Sequence, residues 1–406
     1  MLSLPKAMRR AQGITALPVI HKGTSGPHDL QAVVRRRILS ARPVTLHHVR
    51  PALKPGLLLV WRDRDTLQIG IDPRRAFALT GMSDARWVIS LLDGSRDRAQ
   101  VIAAAGDRGI PAQLTDRVLT LLAAGGALDD FPAGTYRALP LQLRARLAPE
   151  LATASLAHGD GDGGARILAR RQAACVIVHG SGRLGEGIAD LLAASGIGHV
   201  GSADTARREA AGPGRDRDVS GPAREADAPA PGQAGRPASP ARRGRSSGSA
   251  RTRAPARATR PDLAVLTGTP GPEWAAGLMR DQIPHLAASA GEAIGVVGPL
   301  VTPARSACLR CLDLHRTDRD PAWPLILAQL AGRQPDPLAC DAPLAAAVAA
   351  QAAAQAIAFI DRPAAVGAVL NGTLELVLPA WQWRRRTWQP HRDCSCGSGR
   401  PRTMRS

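Results

Sequence analysis

Apolar and polar positions first fall into a sustained pattern at Pro51. Residues 57–61 (LLLVW) are an apolar run, residues 62–65 (RDRD) a polar turn and residues 67–71 a second short apolar stretch, which together predict a β-hairpin. Three helical spacings follow. Ser83 is placed to cap a helix over 83–92, whose Trp87, Val88, Leu91 and Leu92 share a face and which Gly94 ends. A second helix is expected over 98–105, stopping at Gly106. The third covers 115–124, with Val118, Leu119, Leu121 and Leu122 apolar, and Gly125-Gly126 closes it. A hairpin followed by three short helices predicts a winged-helix-like domain over 51–135. Residues 1–50 show no sustained periodicity and read as a loose N-terminal arm.

After a partly helical connection at 136–171, the pattern changes at residue 172 to an alternation of strands and helices. A strand is expected at 175–178, then a Gly-rich turn, a helix over 184–194 and a strand at 197–201. Residues 204–260, rich in Arg, Pro, Gly, Ser and Ala, interrupt the alternation and read as a disordered insertion. Strands at 263–267 and 293–297 and helices at 273–280, 321–331 and 342–360 resume it. Asn371-Gly372, flanked by apolar runs at 366–370 and 373–378, predicts a tight hairpin. The expected class is α/β, with a Rossmann-like domain over 172–400 behind the smaller front domain.

Composition narrows what such a chain does. Hydrophobic residues are 44% of the 406, a globular proportion, whereas aromatics are only 3%, which argues against a base-stacking nucleic-acid binder. The formal charge of +19 is almost wholly arginine, since Lys6, Lys22 and Lys54 are the only lysines. The insertion holds 13 arginines against six acids, so much of that charge belongs to a solvated tract. In the front domain Asp63, Asp65, Asp72, Asp84, Asp93, Asp97, Asp107 and Asp116 interleave with arginines. A phosphate-tracking face would be more one-sided, which argues against a winged-helix DNA-binding regulator. The N-terminus has no continuous apolar core and carries Arg9 and Arg10, so a cytoplasmic location is expected. Residues 342–360 would reach about 28 Å as a helix, close to membrane thickness. Gln351 and Gln355 interrupt them and Asp341 and Asp361 bound them, so a buried helix and no membrane partner are expected.

Two groups of residues carry candidate chemistry. Gly180-Ser181-Gly182-Arg183-Leu184-Gly185 matches GxGxxG between a predicted strand and helix. Such glycines allow a tight turn and let a phosphate approach backbone N–H groups at a helix N-terminus. Asp204, 19 residues beyond Gly185, is spaced to accept a ribose hydroxyl. Against nucleotide binding, no lysine follows Lys54, and the strand at 263–267 ends in Gly268 where a magnesium-binding carboxylate would be useful. The turn then serves only to pack strand on helix. The second group is Cys308-Leu309-Arg310-Cys311 with Cys394-Ser395-Cys396. CxxC and CxC can supply four thiolates to one tetrahedral zinc ion, a closed and therefore structural site. His315 and His391 adjoin the two pairs as alternative ligands or surrounding groups, Cys175 reads as a small core residue, and Cys340 lacks a partner that would activate it.

The Gly-rich turn, CLRC and the second cysteine pair resemble the ThiF/MoeB superfamily of ubiquitin-activating-like adenylyltransferases. Residues 298–323 (GPLVTPARSACLRCLDLHRTDRDPAW) and 371–397 (NGTLELVLPAWQWRRRTWQPHRDCSCG) resemble its actinobacterial members from azoline cyclodehydratase clusters, and the resemblance covers 172–397 apart from the insertion. It implies structural zinc on Cys308, Cys311, Cys394 and Cys396, and a protein that captures the leader of a ribosomal precursor peptide for a separate YcaO-type enzyme. The implied mode is strand addition, with an extended leader pairing at the hairpin edge (Leu57, Leu59, Trp61) and laying apolar side chains against Val118 and Leu122 of the third helix. Homodimers are common in the superfamily. The chain departs from the adenylylating members in lacking their lysine and strand-end aspartate and in having CxC for CxxC. A non-catalytic, leader-binding scaffold is therefore the leading expectation, with an ATP-dependent adenylyltransferase using Gly180, Gly182, Gly185 and Asp204 as the alternative.

Overall fold

The computed structural model describes residues 32–33, 50–83, 86–130, 140–180, 182–202, 260–268, 271–330, 338–362 and 367–397. Most of the expected arm, Ser181, Asp204 and the expected insertion up to residue 259 lie outside the described residues. The chain divides into two compact units, Met1–Leu141 with Leu151–Ala165, and Gln142–Glu150 with Arg166–Ser406.

In the first unit, the expected hairpin is β3 (Leu59–Trp61) and β4 (Leu67–Ile69), with Leu59 paired to Ile69 and Trp61 to Leu67. The sheet continues into β5 (Phe77–Leu79), which was not foreseen because three residues are too few to establish an alternation. Within the stretch expected to be a loose arm, β1 (Ala32–Val33) pairs antiparallel with β5, giving the order β1-β5-β4-β3. A separate pair joins β2 (Pro51–Leu53) to β6 (Leu128–Asp130). The first expected helix is instead a six-residue 3-10 helix, Arg86–Leu91. Its buried residues, Val88 and Leu91, are three apart, the spacing that a three-residue turn places on one side. Asp97 caps α1 (Arg98–Gly106) in a reciprocal box with Gln100. The third expected helix, α2 (Ala112–Ala124), begins three residues early, just after Pro111, and buries Thr115, Val118, Leu119 and Leu122 against the sheet. Lys54 is also buried here, where its ammonium pairs with Asp129 at 3.0 Å and donates to the Ser155 carbonyl at 3.0 Å.

α3 (Leu141–His158) and α4 (Ala165–Ala173) occupy most of the expected connection. The second unit is built on a seven-stranded mixed sheet, ordered β13-β12-β11-β10-β9-β7-β8. β7 (Cys175–His179), β8 (His199–Ser202), β9 (Leu263–Thr267) and β10 (His285–Gly291) run parallel. β11 (Ile294–Val301), β12 (Gly372–Val377) and β13 (Gln382–Thr387) extend the sheet antiparallel. α5 (Gly182–Ala194) and α9 (Ala342–Asp361) pack on the core of the parallel strands, and α6 (Pro272–Arg280), α7 (Leu309–Thr317) and α8 (Trp323–Leu330) complete the unit. Among the described residues α9 is the one helix long and apolar enough to cross a membrane. Its Leu344, Val348, Ala352 and Ala356, four apart, are buried in that core, which is how a core helix meets the same test.

The hairpin expected at Asn371-Gly372 does not form. Leu370 makes a lone parallel bridge to Leu300, and β12 turns back through residues 378–381 into β13. Asn371 does take the left-handed conformation (φ 51°), but its side-chain oxygen accepts the Ala307 N–H at 2.7 Å and its carbonyl accepts the Trp388 N–H at 2.9 Å. These long-range bonds make it a junction between the cysteine-bearing segments.

Candidate functional site

Cys308 and Cys311 sit at the start of α7, the former in the cap position, so that the first helical turn brings both sulfurs to the same side. Cys394 and Cys396 arrive from the chain beyond β13, which the buried Trp388 anchors through Nε1–H to the Thr373 hydroxyl at 3.1 Å. The four sulfurs lie within 4.8 Å of one another, with separations of 3.7 Å for 308–311, 3.6 Å for 308–394 and 3.6 Å for 311–396. A tetrahedral ion with metal–sulfur bonds of about 2.3 Å requires sulfurs about 3.8 Å apart. The group thus has the dimensions of a four-thiolate metal site.

The Cys308 thiol donates to Cys311, which lowers Cys311 to about 4, while that bond and burial push Cys308 far above the ordinary thiol range. Burial pushes Cys394 up to about 11. Four thiolates this close repel one another, and a cation is what allows all of them to ionise together.

A second group, His315, Asp318 and His391, adjoins the first. The His391 ring is buried; its Nδ1 accepts the Asp393 N–H at 3.2 Å, so its proton belongs on Nε2, which donates to Asp318 at 2.9 Å. That bond holds the Asp318 carboxyl below its usual value. An ion on Nε2 would require the opposite tautomer, with two N–H groups facing one another. These residues form a hydrogen-bonded clasp. His315 and His391 were legible as neighbours of the cysteines, but Asp318 was missed because nothing in sequence links it to a loop 73 residues away.

At the Gly-rich turn, Gly180 (φ 110°) and Gly182 (φ 81°) adopt conformations that suit glycine. A side-chain carbon at Gly180 would collide with the Thr267 hydroxyl, and one at Gly185 with the Gly180 carbonyl oxygen, so both positions are close-packed. Space beside Gly182 is open. The end of β9 offers Thr267, whose hydroxyl is already committed to the His179 carbonyl at 2.9 Å, and no carboxylate. This strand end does not fit magnesium-bound ATP.

The residues expected to meet a peptide are not all together at the surface. Leu59 is 37% exposed on the outer strand β3, Leu57 and Trp61 are half-buried, and the Arg86 guanidinium lies 4.2 Å from the centre of the Trp61 ring. Val118 and Leu122 are fully buried, because the stripe they share with Leu119 faces the sheet. The accessible face of α2 is Gln113, Asp116, Arg117, Thr120 and Leu121, which with Ile102 of α1 line a shallow cavity of about 560 Å³. Leu58 (63% exposed) and Val60 (41%), not singled out in the sequence, make the hairpin edge more apolar than its run of leucines suggested.

No family model matches the sequence, and no curated protein is significantly similar to it. Solved structures with a similar fold include the heterocyclase TruD (TM-score 0.53, 15% identity over 86% of this chain and 43% of that one) and a heterocyclase in complex with substrate and cofactor (TM-score 0.54, 14%, 86% and 39%). E. coli MccB with AMPCPP and MccA is also similar (TM-score 0.52, 14%, 86% and 99%). This chain spans less than half the length of the two heterocyclases. At such identities the likeness is one of fold, and the chain is similar in fold to proteins that include heterocyclases and MccB.

Proposed function

We propose that this protein binds the leader segment of a ribosomal precursor peptide and presents it to a YcaO-type cyclodehydratase in azol(in)e-peptide biosynthesis. The front unit acts as a winged-helix-like recognition module and the ThiF-like, Rossmann-type unit as a cytoplasmic scaffold stapled by structural zinc. The observation that carries this reading is the outer edge at β3: one side of the strand is paired to β4, the other has no strand beside it among the described residues, and Leu58, Leu59 and Val60 are exposed along it. An edge with unpaired backbone groups and apolar side chains suits an added peptide strand. The fold likeness to heterocyclases and to MccB, crystallised with MccA, supports the same context. Zinc is favoured among metals because a closed set of four thiolates is its preferred structural environment.

The test is fluorescence anisotropy with a labelled precursor leader. Binding to the parent protein, lost in Leu59→Pro, is expected, since the ladder bonds of Leu58 and Arg62 to β4 leave the Leu59 N–H facing the open edge and proline removes that donor. Undiminished binding by Leu59→Pro would remove β3 as the docking strand.

A second reading, an adenylyltransferase that activates a carrier or peptide carboxylate, is favoured by the open space beside Gly182. ATP–pyrophosphate exchange by the metal-replete protein tests it. Exchange abolished in Gly182→Asp would establish it, and no exchange would leave the turn as architecture.

A further inference from the structure

Cys311, His315 and Asp318 follow one another at intervals of four and three along α7, so one helix face presents a metal-facing thiol and then two polar side chains. All three engage the loop that brings in the second cysteine pair. His315 Nε2 meets the Gln389 carbonyl at 2.9 Å, and Asp318 accepts from His391 Nε2 at 2.9 Å. The His391 carbonyl accepts the Cys394 N–H at 3.0 Å. His391 therefore holds the second cysteine pair through its main chain, while its 5%-exposed side chain is tied to the end of α7. An edge-to-face contact with the His315 ring, centres 4.7 Å apart, helps fix its orientation.

We propose that His391 and Asp318 are the positioning residues of the metal centre, a clasp that holds the CxC loop onto α7 and so sets how long the ion remains bound. This rests on the reading of the four cysteines as a metal site. Without the clasp, the chain from Trp388 to Cys394 is held to α7 by the His315–Gln389 contact and by the packing of Trp388 on Leu312, and Cys394 and Cys396 are freer to swing away from Cys308 and Cys311 and release the ion. Outer hydrogen bonds of this kind typically govern metal affinity by about 10- to 100-fold. Asp318 is 63% exposed, so replacing it removes the clasp without opening the core.

The experiment loads the full chain with zinc and follows transfer to a chromophoric chelator, with cobalt(II) substitution to report the ligand set. Asp318→Ala and His391→Ala should release zinc about tenfold faster than the parent or more. Asp318→Asn, whose amide oxygen still accepts from Nε2, should restore the parental rate, and all variants should keep the cobalt–thiolate spectrum of the parent. Parental release rates in both alanine variants, or release by Asp318→Asn as fast as by Asp318→Ala, would overturn the clasp. If the parent itself takes up neither zinc nor cobalt, the metal reading fails, and that result is distinct from a clasp that has no effect on a bound ion.

Discussion

Arg171 and Asp361 form a two-point ion pair in the interior of the second unit: Nε donates to Oδ1 over 2.8 Å and Nη2 to Oδ2 over 2.7 Å, joining the end of α4 to the end of α9. The same guanidinium reaches Glu150 at 3.0 Å and the Ser195 carbonyl at 3.1 Å. Both side chains of the pair are almost fully buried. Removing Asp361 leaves the buried guanidinium with Glu150 as its counter-ion and without its two-point partner, so Asp361→Ala should destabilise the protein by about 3 kcal/mol. Replacing both residues with apolar ones of similar volume should cost much less. Urea unfolding of the single and double variants checks this, and equal losses in the two would contradict it.

Metal removal should act on one region. Chelation, or Cys311→Ser, is expected to loosen α7 and the chain after Trp388, because the buried residues there, Val301, Ala307, Leu312 and Trp388, surround the cysteines in a small separate cluster. Hydrogen exchange should accelerate at 309–317 and 388–397 and remain unchanged in the first unit. Elemental analysis of the purified parent should give one zinc per chain, as four thiolates saturate a tetrahedral ion.

The Gly-rich turn contains two kinds of glycine. Gly185→Ala should destabilise the fold by about 1–3 kcal/mol whether or not a nucleotide binds, since the new methyl meets a backbone carbonyl that has little room to move. Gly182→Ala meets open space and bears only the strain of a positive φ, about 1 kcal/mol. Thermal unfolding should rank the variants in that order. Loss of a nucleotide-dependent signal is therefore informative at Gly182 and ambiguous at Gly185.

Stability should fall in mild acid partly through His285. Burial holds this imidazole below the ordinary value of 6.5, opposed by its bond to the Ile283 carbonyl, and its Nε2 has no hydrogen-bond partner among the described residues. The unfolded chain thus takes up a proton at higher pH than the folded one. The stabilisation is complete above pH 6.5 and is lost as the pH falls below it toward the folded value. His285→Phe should lose less stability than the parent between about pH 7.5 and about pH 5.5. Parallel urea midpoints for the two proteins across that range would exclude His285 as the cause.

Local elements were legible where their signals were local. The β3–β4 hairpin follows from two apolar runs around a polar turn, α1 from a helical spacing that stops at Gly106, and α9 from a long apolar stretch bounded by Asp341 and Asp361. Elements held by distant partners were not. β5 and β13 are short and depend on neighbouring strands, and Asn371-Gly372 carries the composition of a hairpin turn but is recruited to bridge Ala307 and Trp388. Lys54 resembles any surface lysine until Asp129 and Ser155 enclose it.

By itself, the sequence marked two close cysteine pairs as candidates for one metal site, because CxxC and CxC each place two thiols within reach of a single ion. It also determined the α/β character of the second unit, since periodicity is a property of neighbouring residues. Only the tertiary structure decided which faces are available. It turned Val118 and Leu122 into the core, left Leu58 and Val60 exposed, packed Thr267 against Gly180 and brought Asp318 to His391. Each of these depends on which of two possible sides an element presents to its neighbours, and that choice is made by packing over the whole unit.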